Sequence, residues 1–180
     1  MEMILLDFVI PTDEFGNTTQ DRKNVDLSIK RYWKIFDKII TINSGTVEEK
    51  RGRLQQELHD LCQLKPGDSV YLHFLGHGCC EEKSEGLQFV TYSELHSMLL
   101  PLKQQGIHVY INMLSSCNTS GMAQYMDCYD VLWYTDRSVT DTDTPFLLQV
   151  KYLAKGSTDF DFDTFRAFMG YPSYQESVSQ

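Results

Sequence analysis

A membrane span is missing from this 180-residue chain. No apolar run approaches the ~20 residues that a bilayer-crossing helix needs. The first ten residues are apolar but carry Glu2 and Asp7, whereas a secretory leader has a basic start and a longer uninterrupted apolar core. A cytoplasmic protein with no membrane contact is expected. Positive charge is also scarce. Sixteen Lys and Arg face twenty-five Asp and Glu, for a net charge of −9, which excludes the basic face that a nucleic-acid phosphate backbone requires. Cysteine is present but in an odd number, five, with no Cys-x-x-Cys pair. A disulfide framework and the common zinc modules are therefore not expected. Internal repeats and low-complexity linkers are absent as well. The chain does have a 42% hydrophobic and 12% aromatic content, enough for one sizeable core.

The pattern along the chain alternates strands with helices. Strands are expected over Met3 to Ile10, Ile39 to Ile42, Ser69 to Leu75, Ile107 to Leu114 and Val131 to Tyr134. Helical spacing links Val25, Ile29, Tyr32 and Phe36; then Leu54, Leu58 and Leu61; then Leu95, Met98, Leu99 and Leu102; and finally Phe162, Phe165 and Met169. Two of these helices begin with capping-box patterns, Thr46 with Glu49 and Thr91 with Glu94. A short helix is expected after Gly121, and Thr144-Pro145 reads as a further helix start. The alternation predicts an α/β fold with a mostly parallel central sheet and helices on both faces. One domain is expected over residues 1–170, with 171–180 as a C-terminal tail.

Sites in parallel sheets gather beyond the carboxyl ends of strands. Two chemically potent residues fall there, His77 after the third strand and Cys117 after the fourth. A cysteine nucleophile acts as a thiolate, and a neighbouring imidazole is the base that generates it. The forty positions between them are enough for one crossover helix joining neighbouring parallel strands. Gly78 has no side chain to obstruct a substrate carbonyl, so its amide suits an oxyanion, and the amide of Cys117 is the natural second donor. With Cys117 at the opening of the short helix, the helix dipole is expected to favour a negative sulfur.

The segment Val70-Tyr-Leu-His-Phe-Leu-Gly-His77-Gly78 resembles the strand and Gly-His-Gly signature of the caspase-like cysteine peptidases, a group that includes caspases, metacaspases, separase and CHAT domains. Met113-Leu-Ser-Ser-Cys117-Asn-Thr-Ser-Gly121 is similar to the Leu-Ser-Ala-Cys-x-Thr segment of CHAT domains, and Val131 to Asp136 followed by Pro145-Phe146 resembles the CHAT fifth strand and helix. The resemblance implies a caspase-like three-layer sandwich. It also implies peptide-bond hydrolysis through a thioester, with Cys117 as nucleophile and His77 as base, no cofactor, and activation by a partner protein or sensor. A departure lies two positions before the nucleophile, where caspases carry Gln, metacaspases Asp and this chain Ser115.

Other readings stand beside this one. A catalytically silent caspase-like module that binds partners is the alternative function, and a small-molecule thiol hydrolase is a third. Cys79 and Cys80 adjoin His77, yet adjacent cysteines fit one tetrahedral zinc poorly, so no metal is expected. His59, His73, His96 and His108 read as structural or solvated, and Asp159 to Asp163 as a solvated helix entry. The substrate pocket is expected to draw on Ser115, Ser116, Asp7 and Asp136, with Asp13 nearby. These carboxylates lead to an expected preference for a basic residue before the scissile bond of a protein or peptide substrate.

Overall fold

The computed structural model describes residues 1–9, 36–76, 86–87, 89–114, 116–136, 161–170 and 173–179. Among them the chain forms β1 (Met3–Val9), β2 (Lys38–Ile42), α1 (Val47–Leu61), β3 (Ser69–Leu75), α2 (Tyr92–Gln104), β4 (His108–Asn112), β5 (Val131–Thr135), α3 (Phe162–Met169) and β6 (Tyr174–Val178). Two short 3₁₀ helices, Ser120–Gln124 and Met126–Cys128, lie between β4 and β5. The strands make one sheet in the order β2-β1-β3-β4-β5-β6, parallel except for the last pair.

Both long helices start as their capping boxes require. The Thr46 hydroxyl accepts the Glu49 amide at 3.2 Å, and the Glu49 carboxylate accepts the Thr46 amide at 3.3 Å. Thr91 and Glu94 repeat the arrangement at 3.1 and 3.3 Å. Behind each cap one apolar face turns to the sheet. Leu54, Leu58 and Leu61 of α1 and Leu95, Leu99 and Leu102 of α2 are buried, each side chain contributing about 1.5–3 kcal/mol. They meet the residues of one sheet face, Ile4, Leu6 and Phe8 of β1, Val70, Leu72 and Phe74 of β3, and Val109 and Ile111 of β4. The chain leaves α1 through Gly67, whose φ of +92° suits a residue without a Cβ. Asp68 then anchors the turn to the start of β1, its carboxylate accepting the amides of Glu2 and Lys65 at 2.9 Å each. Those two amides hold its carboxyl below the usual range.

The opposite sheet face carries a polar row. Asp7, His73, Asn112, Trp133 and Glu176 stand in register across β1, β3, β4, β5 and β6. The Trp133 indole donates to the Glu176 carboxylate at 2.8 Å, and the Asn112 amide group donates to the Tyr71 hydroxyl at 3.1 Å. On this face α3 packs near the β6 edge, with Phe165 stacked on Tyr174 at a centroid distance of 6.3 Å. Asp161 caps α3 by accepting the Thr164 amide at 3.2 Å. Helices therefore cover both faces, as the alternation predicts.

Three expectations need correction. Residues 174–178 are not tail but the sixth strand, antiparallel to β5. The segment is polar overall, but its alternation buries Tyr174 while neighbouring side chains meet water, as suits an edge strand. The fourth strand is shorter than Ile107 to Leu114, because Ile107 bonds back to the end of α2 (its amide to the Leu102 carbonyl, 3.1 Å) and the Asn112 side chain takes the Leu114 amide at 3.0 Å. Third, the short helix after β4 begins only at Ser120, so Cys117 does not open it and the dipole argument does not apply. The helix expected around Val25 to Phe36 (except Phe36 itself), the helix from Thr144, and residues 81–85 of a charged mobile loop expected over Glu81 to Leu87 lie outside the described residues, while Gly86 forms an antiparallel bridge with Thr91. No described helix is long and apolar enough to cross a membrane.

Candidate active site

Cys117 sits on the turn that leaves β4. It is half-buried and carries a thiol, not a disulfide sulfur. Next to it Asn118 adopts φ +53°, the left-handed conformation that asparagine tolerates better than most side chains. That conformation turns the chain sharply at the cysteine, and Ser116, Asn118 and Thr119 around it are buried.

A set of hydrogen bonds from β5 holds this turn. Thr135, the last residue of β5, donates its hydroxyl to the Ser116 carbonyl at 2.8 Å. Its amide donates to the Thr119 hydroxyl at 2.9 Å, and its carbonyl accepts the Thr119 amide at 2.8 Å. The Ser116 amide donates to the Met113 carbonyl at 3.2 Å. The Tyr92 hydroxyl, from the start of α2, donates to the Asn118 carbonyl at 3.4 Å. Both threonines are fully buried. Sequence reasoning missed Thr119, Thr135 and Tyr92. The sequence offers one local signal, an asparagine directly after the cysteine; the threonine bonds need the β4–β5 pairing to become visible.

His77, Gly78 and Ser115 lie outside the described residues, as do Asp13, Cys79 and Cys80. The structure does define where the chain leads into His77. Strand β3 ends at Leu75, two residues earlier, and pairs in parallel with β4 from Ser69↔His108 to His73↔Asn112. The chain exits of β3 and β4 thus share one edge of the sheet.

The remaining candidates divide. Asp7 is fully buried on the polar face, its Oδ1 2.9 Å from Nδ1 of His73; its Oδ2 is buried without a hydrogen-bond partner. Asp136 is exposed just past β5, its amide donating to the Ser173 carbonyl at 3.2 Å. Ser116 is buried, with its backbone in the turn described above. His96 and His108 pair with Asp127 and Asp130 at 2.8 and 3.5 Å. Burial disfavours the thiolate at the other described cysteines. Burial first, then Asp127, pushes the Cys128 thiol up to about 12, and burial also raises Cys62. Among the described residues no group of three or more His, Cys, Asp and Glu is arranged to hold a metal. A groove of about 340 Å³ runs between α1 and α2, lined in part by Arg51, His59, Cys62 and Met98. Cys117 does not line it, so its size does not mark the chemistry.

No model of a known protein family matches the chain, and no curated protein matches it. Among solved structures, the chain is similar to a secreted C11 cysteine protease from Bacteroides thetaiotaomicron, iotapain, with a TM-score of 0.56 and 14% identity over 99% of this chain and 66% of that one. The chain thus spans just under two thirds of the protease's length. An aromatic amino acid aminotransferase with 3-indolebutyric acid matches at a TM-score of 0.37 and 14% identity, over 87% of this chain and 42% of that one, too low to carry an argument. The first likeness establishes the architecture, a caspase-like α/β sandwich. It does not single out the CHAT domains within that group.

Proposed function

We propose that the protein is a caspase-like cysteine endopeptidase with Cys117 as nucleophile and His77 as general base. The observation that supports this best is the turn that carries Cys117, with Asn118 at φ +53°, beyond the carboxyl end of β4, a strand parallel to β3, whose own last residue Leu75 precedes His77 by two positions. In this mechanism His77 takes the thiol proton as the sulfur attacks the scissile carbonyl. The carbonyl oxygen becomes an oxyanion held by the amides of Gly78 and Cys117. Collapse breaks the C–N bond, the amine departs with the proton from His77, and water then hydrolyses the thioester. No cofactor enters. Protein or peptide chains are the substrate class, and a partner protein or sensor switches the site on. A basic residue precedes the scissile bond. Since Asp7 is committed to His73, the exposed Asp136 is the described carboxylate suited to meet it.

Labelling with a peptidyl electrophile directed at cysteine, read alongside hydrolysis of a fluorogenic peptide library, tests the proposal. Cys117→Ala and His77→Ala should each lower turnover by about 10⁴-fold or more, because nucleophile and base act as a unit. Full activity of Cys117→Ala would refute the assignment. Preferred cleavage after Asp, Leu or Ala would refute the basic specificity alone.

A further inference from the structure

We infer that Thr135 is a positioning residue for the oxyanion donor of Cys117, an inference that rests on the peptidase reading above. The Ser116–Cys117 peptide bond is trans and planar, so its C=O and N–H point in opposite directions. The C=O end is fixed, because the buried Thr135 hydroxyl donates to the Ser116 carbonyl at 2.8 Å. The N–H of Cys117 is thereby aimed away from β5 and out of the clamp. Thr119 makes the hold rigid from the other side of the cysteine. Its amide donates to the Thr135 carbonyl at 2.8 Å and its hydroxyl accepts the Thr135 amide at 2.9 Å. One strand-terminal residue therefore fixes the backbone on both sides of the nucleophile and orients the peptide plane that carries the oxyanion donor. An oxyanion hole works through donors already in place when charge develops, so a loosened plane slows the chemical step without weakening substrate binding.

The test compares Thr135→Val with wild type, using Thr135→Ser as the conservative variant. Three readouts separate orientation from structure. The kinetic split should show kcat lower by about 10- to 100-fold with KM within about twofold. A peptide aldehyde, whose adduct with the thiol carries an oxyanion, should bind more weakly by the same factor. The rate at which iodoacetamide alkylates Cys117 should not change, since that reaction makes no oxyanion. Thr135→Ser should restore kcat and aldehyde affinity and likewise leave the alkylation rate unchanged. If Thr135→Val unfolds, Thr135→Ala removes the same donor and carries the same expectation; unfolding of both assigns Thr135 a purely structural role and overturns the inference. Unchanged kcat and aldehyde affinity in a folded Thr135→Val overturn it while leaving the peptidase reading intact. A wild-type protein without Cys117-dependent hydrolysis removes both.

Discussion

Replacing His73 by alanine should damage this protein more than replacing its partner Asp7, and the two changes together should do less harm than the loss of His73 alone. Both side chains are fully buried and meet at 2.9 Å, and the second carboxylate oxygen of Asp7 has no partner. In Asp7→Ala the imidazole loses one hydrogen bond, and no carboxylate is left behind. The cost is that of one unsatisfied buried group, about 1–3 kcal/mol. In His73→Ala the carboxylate keeps neither oxygen paired. A buried carboxylate stripped of its partner is the case in which breaking a buried pair costs about 3–5 kcal/mol. The vacated imidazole volume adds a cavity penalty. The double variant removes the stranded charge, so Asp7→Ala in the His73→Ala background should recover at least about 2 kcal/mol. Urea unfolding at pH 7, followed by tryptophan fluorescence, measures all three variants. A double variant no more stable than His73→Ala would show that the pair is not what keeps the Asp7 charge tolerable.

Two further outcomes are expected. Burial opposes the charge on Asp130, but the Lys103 ammonium at 2.7 Å and the Val109 amide at 2.6 Å outweigh it and hold its carboxyl below the usual range. The resulting stability is present above the unfolded value near 4 and is lost as pH falls through the lower folded value. Asp130→Asn should therefore cost most at pH 6–7, under about 1 kcal/mol at so wet a site, and the gap to wild type in urea midpoints should close below pH 4; a gap that widens in acid would contradict the assignment. Native alkylation with iodoacetamide at pH 7.5, mapped by mass spectrometry, should modify Cys117 while Cys128, buried and pushed up to about 12, stays intact, and labelling of Cys128 first would count against the burial described.

What the sequence could reveal follows from the range of each interaction. The capping boxes at Thr46 and Thr91 were legible because both partners lie three residues apart, and β3 was legible to its ends because a buried apolar run is bounded by turn residues. The Asp7–His73 pair was not, since its partners lie 66 positions apart and meet only through the register of β1 on β3. Read singly, Asp7 points to a substrate pocket and His73 to a structural or solvated role. The same limit hid the clamp on Cys117, in which Thr135 is distant in sequence from the turn it holds. Strand β6 was misread for a different reason. Its apolar content is low because an edge strand buries only part of its surface, and composition alone then resembles a tail.

The strand order also shapes how the molecule must assemble as it is made. The neighbours at the centre of the sheet, β1 and β3, are not consecutive, so β1 emerges from the ribosome long before its partner and waits through the synthesis of β2 and α1. Strand β5 waits in turn for β6, which is separated from it by α3. Such distant pairings fold slowly, because loop-closure entropy is lost before the contacts form. During that interval the edges of β1 and β5 are open to other nascent chains, and unpaired edges of this kind make a partly folded copy prone to aggregate.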